Sequence, residues 1–237
     1  MHTRVTEVAD GVHQLTTHVA EIDFSFNQYL VTGDEPLLFH CGPRAMFPLV
    51  SAAAATVLPL ADLRWISFGH VEADECGSLN QWLAAAPQAT VAQGTIGCMV
   101  SLNDLADRPP RALQPGEVLD TGGHRLRWID TPHVPHGWEA GILYDEATRT
   151  LLCGDLFTHT GSCAPTSTAD PLERTMAAED LFSYSSLAPT SGDTVRALAD
   201  LDIDSLALMH GPAYGGDCSG ALRSLADDYD RRIADRT

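Results

Sequence analysis

Four apolar runs in this 237-residue chain each lead into a histidine or an aspartate. Leu63-Arg64-Trp65-Ile66-Ser67-Phe68 leads into His70. Arg125–Ile129 is followed by Thr131-Pro132-His133-Val134-Pro135-His136-Gly137. Thr150-Leu151-Leu152-Cys153 precedes Gly154-Asp155, and Ser205–Met209 precedes His210-Gly211-Pro212. Short apolar runs bounded by Gly and Pro read as buried strands. A rigid sheet aims the residues at its strand ends, which is where layered α/β folds build their sites. A single histidine in such a place is ordinarily structural. Four such endings in succession point to a layered sheet fold whose strand ends converge on one site.

The densest of these endings is His70-Val71-Glu72-Ala73-Asp74-Glu75, with one imidazole and three carboxylates in six residues. Helix capping accounts for one of the carboxylates, because a helical pattern starts at Ser78 and carboxylates favour helix N-termini. It does not account for three and a histidine. The mix of imidazole and hard oxygen donors reads as a metal site, and it suits iron or manganese at least as well as zinc.

The order of these residues resembles the metallo-β-lactamase fold, from about Val5 to about Ile233. That superfamily places its ligands in an H-x-[HE]-x-D-H motif, then a His after a T-P turn, then a bridging Asp, then a late His. The matching positions are His70, Glu72 and Asp74, then His133, then Asp155, then His210. Zinc hydrolases of the fold, such as glyoxalase II, carry His at the second motif position. Flavodiiron proteins carry Glu there and hold two irons. Phe26-Asn27-Gln28-Tyr29-Leu30 is similar to an early flavodiiron strand, and His133-Val134-Pro135-His136 to the flavodiiron His-Trp-Pro-Asp turn. The motif ends on Glu75 where most of the family has His, a variant similar to stand-alone oxygen-binding diiron proteins.

The resemblance implies a four-layer αββα sandwich of class α/β, expected as a single domain over residues 1–237. It implies two metal ions, iron in first place with zinc or manganese as alternatives. His70, Glu72 and His133 would hold the first, Asp74, His210 and Glu75 the second, and Asp155 would bridge them. Glu72 favours iron because its charge stabilises the higher oxidation state. The expected function is binding and reduction of dioxygen or nitric oxide. No flavodoxin-like domain fits before Thr237, so no flavin is expected in this chain. Electrons would come from an external donor protein, and a homodimer is expected. His136 is placed behind the ligands, orienting one or donating to bound oxygen, and His159 at the pocket wall. His40 reads as a strand-end residue bonded to backbone. His2, His13, His18 and His124 read as surface or loop residues. Two other readings share the same ligands: a dinuclear zinc hydrolase of thioesters or lactones, and a non-enzymatic oxygen sensor. Few Lys or Arg lie near the motifs to anchor a hydrolase substrate.

The formal net charge of -18 argues against nucleic acid and anionic membranes as partners. Residues 1–30 lack a signal-peptide pattern and no stretch has about 20 apolar residues, so a cytoplasmic location is expected. The six cysteines include no C-x-x-C pair. Cys76 abuts the metal motif and is a candidate for redox chemistry. Strands are expected at Val12–Thr17, Tyr29–Thr32, Leu37–Phe39 and Thr90–Ala92, with helices at Phe47–Val57, from Ser78, and near Ile96–Leu105. Pro109-Pro110 marks a linker to a second sheet with strands at Gly116–Leu119, Arg125–Ile129, Gly141–Tyr144 and Leu151–Cys153. Residues 161–192, with a helix near Leu172–Leu181, read either as a surface excursion or as a lid or dimer contact. Thr194–Leu201 and Ala221–Ile233 read as amphipathic helices.

Overall fold

A computed structural model describes residues 1–236. Its strands form two seven-stranded sheets. The first runs in chain order: β1 (Thr3–Ala9), β2 (Val12–Val19), β3 (Phe24–Val31), β4 (Leu37–Phe39), β5 (Trp65–Ser67), β6 (Thr90–Gly94) and β7 (Arg111–Leu113). The second contains β8 (Val118–Asp120), β9 (Arg125–Asp130), β10 (Gly141–Asp145), β11 (Thr150–Leu152), β12 (Thr166–Ser167), β13 (Ser205–Ala207) and β14 (Ala213–Tyr214), in the spatial order β12-β14-β13-β11-β10-β9-β8. β1 to β4 pair antiparallel and β4 to β7 pair parallel. Parallel neighbours need crossover connections. Helices α1 (Phe47–Ala54), α2 (Ala73–Cys76), α3 (Leu79–Ala85), α4 (Thr95–Gly97) and α5 (Asn103–Leu105) lie in those crossovers. Helices α6 (Leu172–Phe182), α7 (Ser191–Ala199) and α8 (Cys218–Ala234) belong to the second half.

Continuous apolar runs, rather than alternating ones, show why two sheets stack between helices. A strand points successive side chains to opposite faces, and a strand buried on both faces needs apolar residues throughout. In β4, Leu37 and Phe39 enter the seam between the sheets, while Leu38 enters the core under α1 and α3. In β11, Leu152 faces the same central seam and Leu151 the core under α7 and α8. The central seam joins Tyr29, Leu37, Phe39 and Trp65 of one sheet to Leu126, Trp128, Leu143 and Ala207 of the other. Three apolar seams thus separate four layers, αββα, as expected. Truncating one of these fully buried leucines to alanine costs about 2–5 kcal/mol.

Three local expectations differ from the structure. Arg111–Leu113 pairs parallel with β6, so the segment after Pro109-Pro110 completes the first sheet before the chain crosses. Thr3–Ala9 forms an edge strand on β2, a pairing set by register across a turn at Asp10-Gly11 rather than by apolar content. The helical stretch near Ile96–Leu105 is broken into α4, a wide turn over Cys98–Leu102 and α5.

Topology gathers the strand ends. β9 and β11 both pair antiparallel with β10, and β11 pairs parallel with β13, so these three strands finish at one edge. β4 and β5 are parallel and finish together in the other sheet. Cross-sheet hydrogen bonds bring those edges into contact. The Asn27 amide donates to the Leu208 and Gly211 carbonyls at 2.8 and 2.7 Å, and the Tyr29 hydroxyl to Leu208 O at 2.7 Å. The Gly141 N–H donates to Gly69 O at 2.9 Å.

Candidate metal centre

The candidate donors gather at this shared edge from loops and from the short helix α2. Two groups form, His70, Glu72, His136 and Asp155 in one, Asp74, Asp155 and His210 in the other; within each, the donor atoms lie within 4.8 Å of one another. Glu72 Oε2 lies 2.8 Å from His70 Nε2 and 2.9 Å from His136 Nε2. Asp155 belongs to both groups. Its Oδ2 lies 3.4 Å from His136 Nε2 and 3.8 Å from His70 Nε2, while its Oδ1 lies 3.2 Å from His210 Nε2. Asp74 Oδ2 lies 3.3 Å from His210 Nε2.

The imidazoles are oriented from behind. His210 Nδ1 lies 2.8 Å from the Ser25 carbonyl, which fixes Nδ1 as the protonated nitrogen and Nε2 as the free donor. Phe24 packs on the same ring at 4.4 Å between centroids. His70 Nδ1 lies 3.1 Å from Glu75 Oε1, and Glu75 Oε2 accepts the His70 backbone N–H at 2.7 Å.

The field at the site is strongly negative. Burial works against charging His70, but Glu75, Glu72 and Asp155 outweigh it and push its pKa up to about 12. Burial is likewise outweighed at His210, where Asp155 and Asp74 push the pKa up to about 10. Hydrogen bonds from His136 and His70 hold the Glu72 carboxyl well below the carboxylate range. At Glu75 burial opposes the charge, and His70 and His40 outweigh it, so its pKa is lowered. Carboxylates that favour imidazolium this strongly favour a divalent cation in the same place. Asp74 Oδ1 and Asp155 Oδ1 are buried and make no hydrogen bond. Unsatisfied buried carboxylate oxygens beside imidazole nitrogens that converge on the same carboxylates are a donor set that fits metal ions.

The expected site residues divide as follows. His70, Glu72, Asp74, Asp155 and His210 come together. His133 does not: it is exposed, with φ of 65°, and its backbone N–H donates to Gly137 O at 2.8 Å. That tight turn points His133 to solvent and His136 inward, so His136 occupies the donor position assigned to His133. Glu75 is fully buried beneath His70 and belongs to neither donor group. His159 lies beside the site rather than in its wall. Its Nε2 contacts the Pro171 carbonyl at 3.1 Å, its backbone N–H donates to His210 O at 2.7 Å, and burial lowers its pKa to about 4. It braces the His210 loop as a neutral ring. His40 is fully buried, its Nε2 3.7 Å from Glu75 Oε1. His124 is buried too, paired with Asp145, and is not a surface residue. The Cys76 thiol contacts Glu72 O, and burial pushes its pKa up to about 12, the opposite of a reactive thiolate.

A cavity of about 310 Å³ opens over the two groups. Besides the donors it is walled by Ile22, Phe24, Thr158, Phe182 and Tyr184. Phe182 and Tyr184 come from the end of α6 and the segment after it, so residues 161–192 include a wall of the site. The Ser186 N–H donates to Pro135 O at 2.7 Å and ties that wall to the His136 turn. The sequence offered no signal for Tyr184 or Phe182, since neither lies in an apolar run near a donor.

Fold and donor arrangement together define a metallo-β-lactamase-type core of the flavodiiron kind. Residues 24–211 match the model of the ODP family beta lactamase, and the chain belongs to that family. Diflavin flavoprotein A 2 of Synechocystis sp. is 25% identical over 195 residues, 79% of this chain and 33% of that protein. Diflavin flavoprotein A 3 of the same organism is 26% identical over 217 residues, 89% of this chain and 36% of that protein. The chain therefore spans about a third of the length of these curated relatives. Among solved structures, a fragment of diflavin flavoprotein A 5 from Nostoc sp. superposes with a TM-score of 0.80 at 19% identity, covering 98% of this chain and 97% of that one. Rubredoxin oxygen:oxidoreductase from Desulfovibrio gigas gives 0.79 at 17% identity, covering 94% and 62%. The metal-soaked flavodiiron core from Synechocystis sp. gives 0.78 at 21% identity, covering 98% and 61%. Among the described residues, no helix is long and apolar enough to cross a membrane.

Proposed function

We propose that this chain holds two iron ions in the site and uses them to bind and reduce dioxygen or nitric oxide. The observation that carries the reading is Asp155, whose two oxygens face two separate donor groups. One carboxylate so placed can neutralise two cations at once. His70, Glu72 and His136 would complete one half, Asp74 and His210 the other. A pair of ferrous ions would supply one electron each to a diatomic ligand.

The chain's own residues support that chemistry around the ions. Phe24, Phe182 and Ile22 give the cavity an apolar wall, which suits an uncharged molecule better than a charged ester. Burial holds the Tyr184 hydroxyl well above its ordinary pKa, so it keeps its proton and can donate a hydrogen bond into the cavity. No Lys or Arg lines the cavity, which disfavours a hydrolase that anchors an anionic thioester. Continued turnover needs electrons from a donor protein, and the open mouth beside Phe182 is where such a partner, or a second copy, would approach.

Protein purified without oxygen, with metal content and optical spectrum recorded before and after air, tests the reading. About two irons per chain and a new charge-transfer band on oxygenation support it. A persistent band without turnover would mark a sensor rather than a reductase. Two zincs, with no band and no activity after iron reconstitution, would refute the diiron reading in favour of the hydrolase.

A further inference from the structure

We infer that Glu75 is not a metal donor but the positioning residue that makes the centre asymmetric: by holding His70 from behind, it completes the His70/Glu72/His136/Asp155 half and leaves the Asp74/Asp155/His210 half one protein donor short, with a coordination position open to ligand. The inference rests on the metal reading above and concerns the division of labour within that site.

Its first support is where Glu75 sits. Asp74 and Glu75 are neighbours on the single turn of α2, so their side chains leave the helix about 100° apart. Asp74 faces His210, while Glu75 turns inward and is 0% exposed. Oε2 takes the His70 N–H at 2.7 Å, Oε1 lies 3.1 Å from His70 Nδ1, and His40 Nε2 lies beyond Oε1 at 3.7 Å. To ligate a metal, the carboxylate would have to leave this seat. It would abandon the buried His70 backbone N–H, a cost that an unsatisfied buried donor makes severe.

The second support is that the seat is built. A Cβ at Gly69 would lie 3.0 Å from both Glu75 oxygens, and one at Gly154 would lie 3.4 Å from Oε1. Gly69 is therefore tight against the carboxylate, and a side chain there would press on it. Gly154, with φ of 55°, immediately precedes Asp155, and a Cβ there would only touch Oε1.

The consequence for the metals is directional. A carboxylate on Nδ1 fixes the tautomer in which Nε2 is the metal donor and makes that nitrogen a stronger donor. The half containing His70 has four protein donors, the other has three. Asp74 and His210, which would hold the metal with fewer protein donors, line the cavity beside Phe24 and Phe182, so a small ligand of that metal would enter from there.

Zinc, which is spectroscopically silent, is the probe. In zinc-loaded protein with 15N-labelled histidine, the His70 Nδ1–H should be visible by NMR and protected from solvent, with Nε2 on the metal. In a His210→Ala background, where the four-donor half remains, Glu75→Ala should weaken zinc binding tenfold to a hundredfold. Glu75→Gln in the otherwise native chain keeps the size of the side chain and one acceptor oxygen, with its NH2 on the other side. It should keep two zincs, which guards against simple misfolding of the alanine variant. The inference is overturned if Glu75→Gln drops to one zinc, or if Glu75→Ala leaves zinc affinity unchanged in the His210→Ala background. An unaltered protein that binds no metal would overturn both this inference and the reading beneath it.

Discussion

Replacing Asp155 with asparagine should cut the metal capacity of the chain from two ions to one. Each donor group has one carboxylate of its own, Glu72 or Asp74, and shares Asp155. Asparagine keeps one neutral oxygen and places an amide NH2 where the second oxygen was, so one half gains a donor group that repels a cation. Two dications about 3.5–4 Å apart repel strongly, and the shared carboxylate is what screens them. At free metal a hundredfold above Kd, each occupied site adds about 2.7 kcal/mol to stability. For a domain of this size each kcal/mol moves Tm by about 2–4 °C. The variant should therefore lose about 5–11 °C of the metal-induced rise in Tm. Metal analysis after gel filtration, with calorimetry of loaded and chelated samples of each protein, makes the comparison; using the rise cancels any change in metal-free stability. An Asp155→Asn protein that retains two ions and the full rise would refute the bridging argument.

His136→Ala should lose metal from the four-donor half, whereas His133→Ala should leave both metal content and Tm within error, because its ring is exposed; equilibrium dialysis separates the two outcomes. Gly141→Ala should cost about 3 kcal/mol, the upper end for overpacking, since its Cβ would lie 2.1 Å from Trp128 Cζ2 within the central seam; denaturant unfolding measures it. The His124–Asp145 pair, 2.7 Å apart, should make stability depend on pH. The bond to Asp145 raises the His124 pKa against burial, so His124's contribution is full below its unfolded value and is lost as pH rises through the folded one. For Asp145, burial is outweighed by His124 and Thr148 and the pKa is lowered, so its contribution is present above its unfolded value and is lost as pH falls through the folded one. Stabilisation is therefore greatest between roughly pH 4 and 6.5. His124→Asn should lower Tm more at pH 5.5 than at pH 9, and an equal loss at both would show that packing, not the ion pair, is what His124 supplies.

Much of the architecture could be read along the chain because it depends on short, continuous apolar runs. Leu37-Leu38-Phe39 and Leu151-Leu152-Cys153 are apolar at every position, and only a strand buried on both faces needs that. The candidate donors His70, Glu72, Asp74, Asp155 and His210 were legible because each lies within a few residues of such a strand's end, which sets its place. What only tertiary structure decided lies one step further from the sheets. His133 and His136 share one turn, and which of them faces the other candidate donors depends on the backbone angles of that turn, not on residue type. The partner of Arg111–Leu113 is chosen by parallel pairing with β6, a contact without local signature. Glu75 has the chemistry of a ligand, and its neighbours in sequence are candidate ligands. Its carboxylate instead turns into a buried seat beneath His70 and against Gly69, a space that only a folded chain can form.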